Sequence, residues 1–215
     1  MVTPTRLLMA TRSAGKQREV RTLLDGLGIE VVFPSDLGLW ETPDEQRLEL
    51  GETFEANARA KAEHFARRSG LPTLADDSGL EVFALGGEPG VRSRRWAGAA
   101  GSEAEVAAAN NAFLLRRLLG APEARRRARY RCVLVYLPKV GAVPVVYEGA
   151  CTGRILEAPA GAGGFGYDPL FFSDDLGKSF GEATDEEKHQ VSHRGRAFDA
   201  FRRALVTHAQ ETHQP

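Results

Sequence analysis

The 215-residue chain carries 28 Lys and Arg against 29 Asp and Glu, with 42% hydrophobic and 27% charged residues. That balance suits a globular protein with a sizeable core and excludes the overall basic field that would recruit nucleic acid or an anionic membrane, so a polyanion must be met by a local patch. Cys132 and Cys151 both sit in apolar, β-like runs, which excludes a disulfide scaffold and suits a reducing cytoplasm; near the N-terminus the longest apolar run, Leu7-Leu8-Met9-Ala10, is far too short for a signal or a spanning helix.

Residues 5–11, "TRLLMAT", predict a buried strand, followed by a helix in which Val20, Leu23, Leu24 and Leu27 fall at i, i+3, i+4 and i+7, stopped by Gly28. "EVVF" at 30–33 predicts a second strand, before a polar stretch rich in Pro, Asp and Glu. A long helix starts at Thr53 as its cap, lines one face with Phe54, Ala58, Ala62 and Phe65, and ends near Gly70. "TLAD" at 73–76 is the next strand, which places Asp76 and Asp77 at a strand end. A third helix spans 103–119 and is closed by Gly120-Ala121-Pro122. "ARYRCVLVYL" and "PVVYEGACTGRI" predict a hairpin turning at Gly141, a glycine-rich loop at 161–166 precedes "LFF", and a last helix runs from about Gly195 to His208. With no repeat and no linker, this order predicts one α/β domain over 1–208 with a mixed sheet, and a polar tail at 209–215.

Four polar clusters fall where strands give way to turns, the places where open α/β sheets bind ligands. In Thr11-Arg12-Ser13-Ala14-Gly15-Lys16, the amides opening the next helix, together with Lys16, suit a phosphate. It is not a Walker loop, because Ala10 and Gln17 stand where that motif needs Gly and Ser or Thr. Asp76-Asp77-Ser78-Gly79 has two readings: adjacent carboxylates leaving an apolar strand call for a hard divalent cation and a phosphate, or Asp77 or Ser78 caps the segment 80–86. In "AGAGGFGYDP" at 160–169 glycines permit close backbone approach, and Phe165 and Tyr167 either stack on a base or plug the core. "EEKHQVSHRGRA" at 186–197 delivers Lys188, His193 and Arg194 beside a helix start that Ser192 can cap, with phosphate or a base edge in reach.

"MATRSAGKQREV", "TFEANARAKAEHFA", "ADDSGLEVFALGGEPGVRSRRWAG", "GGFGYDPLFF" and "EEKHQVSHRGRA" stand in the order, and near the spacing, found in the inosine triphosphate pyrophosphatase family. The chain resembles that family from about Arg6 to Leu205. The resemblance implies an elongated α/β domain with a mixed central sheet flanked by helices, two lobes with the active-site cleft between them, and a homodimer. It implies that Thr11 to Lys16 bind phosphate, that Asp77 is catalytic, and that Ser78, Phe165, Gly166, Tyr167, Asp168, Lys188, His193 and Arg194 contact substrate. Asn57 and Lys61 match the family, whereas Ser13 stands where Asn is usual and Ala56 where Glu is common. Leu48-Glu49-Leu50-Gly51 replaces the family's paired acids before Thr-Gly, so the second metal carboxylate is expected at Glu49, with Glu41 and Glu45 as alternatives.

Together these parts predict Mg²⁺-assisted attack of water on the α-phosphorus of a non-standard purine nucleoside triphosphate (ITP, dITP or XTP), releasing the monophosphate and diphosphate. Oxygen ligands alone, with no Cys or His cluster at zinc spacing, favour Mg²⁺. The predicted partners are this substrate and a second copy of the chain, without nucleic acid or membrane. A related pyrophosphatase preferring pyrimidine or methylated bases is the first rival. A non-enzymatic nucleotide- or nucleic-acid-binding module is the second, and the near-zero net charge weighs against it.

Overall fold

The computed structural model describes residues 5–211. Seven strands form one mixed sheet: β1 (Arg6–Met9), β2 (Glu30–Val32), β3 (Thr73–Val82), β4 (Arg127–Leu137), β5 (Val145–Ile155), β6 (Phe171–Ser173) and β7 (Lys178–Ser179), in the order β2-β1-β3-β4-β5-β6-β7. β1 is parallel to both β2 and β3, whereas β6 is antiparallel to β5 and β7. Five helices complete the α/β fold: α1 (Ala14–Leu23), α2 (Phe54–Ser69), α3 (Glu103–Arg117), α4 (Asp185–Val191) and α5 (His193–Glu211). The chain divides into two compact units, the first built from 1–77, 132–149 and 196–215 and the second from 78–131 and 150–195.

In the first unit, alternate residues Leu7 and Met9 of β1 and Cys132, Leu134 and Tyr136 of β4 pack with Val20 of α1 and with Phe198 and Phe201 of α5. Leu8, Val133 and Val135 are buried as well, so these strands are covered on both faces and read as continuous apolar runs. The second unit packs Leu80 and Val82 of β3 with Leu114 of α3, Tyr130 of β4, and Phe171 and Phe180. Both cysteines are buried, one in each core, and no disulfide joins them.

Several boundaries move from their predicted places. α1 stops at Leu23, one turn before Gly28, because the chain turns at Gly26 with φ +75°, where a side chain would be strained. β3 does not end after Asp76: it runs on to Val82 through Asp77, Ser78 and Gly79. The carboxylate pair therefore lies inside a strand, and the helix-cap reading fails, since the helical turn within 80–86, Phe83–Leu85, has Val82 at its cap. A helix absent from the prediction, α4, opens with a capping box in which Thr184 Oγ1 accepts from the Glu187 amide and Glu187 accepts from the Thr184 amide. α5 begins at His193 and continues to Glu211, so residues 209–211 of the expected tail are helical, and 1–4 and 212–215 lie outside the described residues. Thr53 and Gly70 close α2 as expected, Thr53 Oγ1 accepting from the Ala56 amide and Gly70 adopting φ +70°.

Candidate active site

The protein itself holds in place the residues expected at phosphate. Ser13 caps α1, its Oγ accepting the Lys16 amide at 3.4 Å, while Thr11 Oγ1 accepts the Ser13 amide at 3.3 Å. Gln17 braces the turn from within the helix, Nε2 donating to the Thr11 carbonyl at 3.2 Å. Ala14 and Gly15 open α1, and their backbone supplies the positive end of the helix. The Lys16 ammonium lies 2.9 Å from Asp76 Oδ2, whose side chain has no solvent exposure. The first aspartate of the pair thus orients the loop's lysine.

Asp77 has a different set of partners. Asn57 Nδ2 donates to its Oδ2 at 2.8 Å, and the Lys61 ammonium lies 3.3 Å from its Oδ1 and 3.1 Å from Glu49 Oε1. Asn57 and Lys61 are one helical turn apart on α2, so a single helix face delivers both to β3. Burial pushes the Asp77 carboxyl above its ordinary value, against the opposing pull of Lys61, Lys16 and Asn57. Burial alone would lower the Lys61 ammonium, but Asp77, Glu49 and Asp76 hold it above the ordinary lysine value, so it stays charged. An aspartate with a raised pKa beside a fixed cation is a competent proton acceptor.

Among the described residues no cluster of three or more His, Cys, Asp or Glu side chains forms a metal cage by itself. Two carboxylates meeting at one ammonium nevertheless suit Mg²⁺, an ion bound by one or two carboxylates plus substrate phosphate. Of Glu49, Glu45 and Glu41, the first alone shares Lys61 with Asp77. Glu45 is engaged by Arg12 at 2.6 Å and by Arg68 at 2.6 Å, and Glu41 lies on the surface. Arg12, expected at phosphate, is the partner of Glu45.

The remaining predicted residues gather in the second unit. Lys188 Nζ lies 2.7 Å from Asp168 Oδ2 in a pair whose side chains are each only 4% exposed. That same oxygen accepts the Phe165 amide at 2.7 Å, so Asp168 fixes both the lysine and the glycine-rich loop. Gly164 (φ +70°) and Gly166 (φ +63°) allow the loop to turn around it. The Phe165 ring lies 4.8 Å from the Lys188 ammonium and 5.7 Å from the Arg194 guanidinium. Arg194 Nη2 donates to Ser78 Oγ at 2.7 Å, and His193 stacks on Tyr130 with centroids 4.6 Å apart and planes 8° apart. Ser192 accepts the Gly195 amide at 3.0 Å and caps α5 as expected. Tyr167 follows the plug reading: it is 4% exposed, packs in the core and donates its hydroxyl to the Ser93 carbonyl at 2.8 Å. Phe165 is the half-buried ring of the pair.

Sequence reasoning gave no role to Asn57, Lys61, Asn111 or Tyr130. A polar Asn and Lys at i, i+4 beside the apolar stripe of α2 was the available signal for the first two. Asn111, whose Nδ2 donates to the Gly166 carbonyl at 3.0 Å, carries no such signal.

Comparison with known proteins places the chain among relatives. A model of the Ham1 family matches residues 7–204. The chain is 46% identical over 201 residues to the dITP/XTP pyrophosphatase of Yersinia pseudotuberculosis, covering 93% of this chain and 98% of that one. Among solved structures it is similar to a HAM1 protein from Coxiella burnetii (TM-score 0.81, 32% identity, 96% and 100% of the two chains). It is also similar to the nucleoside-triphosphatase / dITP/XTP pyrophosphatase of Mycobacterium abscessus (TM-score 0.68, 40% identity, 91% and 98%). With the family model spanning almost the whole chain and nearly half the residues shared along a relative's full length, the chain belongs to the Ham1 family.

Proposed function

We propose that the protein is a nucleoside triphosphate pyrophosphatase that hydrolyses non-standard purine nucleoside triphosphates (dITP, XTP and ITP) to the monophosphate and diphosphate. The observation that carries the reading is Asp77: a buried carboxylate with a raised pKa, fixed by Asn57 and Lys61, next in the chain to an aspartate that orients the phosphate-loop lysine. The names of the relatives support the same activity.

In this reading the α1 amides and Lys16 take the phosphates, and Lys16 offsets the charge that grows as the leaving group departs. Asp77 takes a proton from the attacking water. The oxygen of that water bonds to the α-phosphorus, the bond from that phosphorus to the bridging oxygen breaks, and its electron pair leaves with diphosphate. Glu49 and Asp77 would hold Mg²⁺, which neutralises phosphate charge and acidifies water. Phe165 offers its ring to the base, while His193 and Arg194 offer donors to a 6-oxo group and face the 6-amino group of adenine donor to donor. A site built this way rejects the mismatched analogue by about 10⁴-fold, because its own polar groups are left unpaired. A homodimer working in the cytoplasm completes the proposal.

The experiment is a panel of dITP, XTP, ITP, dGTP, dATP and pyrimidine triphosphates with Mg²⁺, with products separated without added diphosphatase. Inosine or xanthosine monophosphates and intact diphosphate are expected, with loss of turnover on chelation. Orthophosphate as the first product would overturn the reaction type, and preference for a pyrimidine would overturn the base assignment. Sedimentation reads the dimer separately.

A further inference from the structure

Arg12 belongs to the loop assigned to phosphate, yet its side chain is occupied within the protein. Nε donates to Glu45 Oε2 at 2.6 Å, and Nη2 donates to Glu45 Oε1 and to the Leu39 carbonyl, both at 2.8 Å. The Glu45 side chain is only 8% exposed, and its Oε1 also accepts Arg68 Nη1 at 2.6 Å. Arg68 in turn donates through Nη2 to the Trp40 carbonyl at 2.8 Å. Both guanidiniums rest against Phe65 of α2, with centroid distances of 5.7 and 6.0 Å. One carboxylate gripped by two forks, each fork also holding a backbone carbonyl of the same segment, fixes that segment in position as well as in charge.

The segment is also tied further along. Glu49 follows Glu45 by four residues and reaches Lys61 at 3.1 Å. Two residues on, the Gly51 amide donates to Asn57 Oδ1 at 2.7 Å, and Asn57 Nδ2 donates to Asp77. A Cβ at Gly51 would stand 2.6 Å from Asn57 Oδ1, so this approach needs glycine. Residues 39–51 thus form a strap joined to the phosphate loop at Glu45 and to Asp77 at Gly51.

Building on the proposed pyrophosphatase reaction, we infer that Arg12 is a positioning residue and not a phosphate contact: through Glu45 it sets the phosphate loop in register with the strap that brings Glu49 to Lys61 and Asp77. The roles predict opposite signs. A phosphate contact held back by Glu45 would be released by Glu45→Gln and bind substrate more tightly. A positioning pair loses function whichever partner is removed, and removing both costs no more than removing one.

The test compares wild type, Arg12→Met, Glu45→Gln, the double variant and Arg12→Lys, with Arg67→Met as an exposed control, at a temperature where circular dichroism shows every chain folded. Affinity for a nonhydrolysable α,β-methylene analogue of dITP is measured by calorimetry, kcat and KM for dITP by turnover, and amide exchange at 13–16 and 48–51 without nucleotide. The expected result is roughly tenfold weaker analogue binding in each single variant and again roughly tenfold, not a hundredfold, in the double. Arg12→Lys should fail to rescue, since lysine has charge but no fork, and exchange should quicken in both segments. Tighter binding in Glu45→Gln, retention in Arg12→Lys, or additive losses would each overturn the inference. A wild type that neither binds the analogue nor hydrolyses dITP would sink the pyrophosphatase reading instead. The strap would then be judged by exchange alone, with faster exchange at both segments sustaining it and unchanged exchange at 13–16 refuting it.

Discussion

The clusters of the two units hold buried charge in opposite ways. In the first unit, Asp76, Asp77 and Glu49 are set against Lys16 and Lys61, and the partners come from different elements, with α1 and α2 reaching onto β3. In the second, Lys188 is set against Asp168 and Arg194 donates to Ser78, both cations lie around the Phe165 ring, and the carboxylate is bound to the backbone of the loop that carries the ring. Among these side chains the acids outnumber the cations in one cluster and the cations outnumber the acid in the other. Buried ion pairs are poor devices for stability alone, because desolvation offsets most of their attraction. In the proposed reaction their opposite excesses serve as two sites, one for a divalent cation with phosphate and the other for the carbonyl oxygens and π-face of a base.

That contrast can be broken first at Asp77. Asp77→Asn should keep the fold and lose roughly 10²–10⁴ in kcat, with the preference for dITP over dATP unchanged, because the amide takes no proton while the base cluster is intact. A steady-state comparison on both substrates reads this. A loss below about tenfold would transfer the proton-accepting role to Asp76.

The reverse separation is expected at Asp168. Asp168→Ala leaves Lys188 buried without its carboxylate and the Phe165 amide without its acceptor, and should destabilise the protein by about 3–5 kcal/mol in urea unfolding. A change under about 1 kcal/mol would mean that the pair behaves as though solvated.

Arg194→Ala should narrow the dITP-over-dATP ratio in kcat/KM by about ten- to a hundredfold, mainly by slowing dITP, as each lost charged hydrogen bond is worth about 1.5–3 kcal/mol. Equal losses on both nucleotides would make Arg194 a phosphate contact and erase the distinction between the clusters.

The smallest effect lies in the strap and depends on pH. Burial tends to raise the Glu45 carboxyl, but the hydrogen bond and charge of Arg12, with help from the Thr42 amide and Arg68, hold it below the usual carboxylate range. A depressed folded-state pKa contributes stability that is complete above the unfolded value, near 4.3, and is lost as pH falls through the folded value. Wild type should therefore exceed Glu45→Gln in Tm at neutral pH, with the gap closing below about pH 4. A gap that widened in acid would reverse the assigned sign.

Much of this arrangement could be read along the chain. Thr53 and Ser192 announced their helices because a hydroxyl before an amphipathic run has one strongly preferred use, and Gly70 announced an end for the same local reason; the Ser13 cap of α1 emerged only in the structure. Phe165, Asp168 and Lys188 were legible as candidates from composition and resemblance, but their mutual contacts were not. Asp76 and Asp77 show the limit most clearly. Adjacent strand residues point to opposite faces, so two like side chains were bound to meet different partners, yet nothing local says that one meets Lys16 and the other Lys61. The strand's length is not legible for a related reason, since Asp-Asp-Ser-Gly has weak strand propensity and is held in β3 by its neighbours.

The sequence by itself determined the α/β class, the caps of α2 and α5, the buried strands and the set of polar residues that do not belong in a core, because each follows from periodicity, chain stereochemistry or desolvation acting over a few residues. The tertiary structure alone decided the pairings: Arg12 with Glu45 across 33 positions, Lys61 with Asp77 across 16, Arg194 with Ser78 across 116. A buried charge requires a counter-charge, but the requirement names no particular one. Several arginines and acids lie within reach in sequence, and only packing of α1, α2 and the strap on the sheet makes one of them the neighbour.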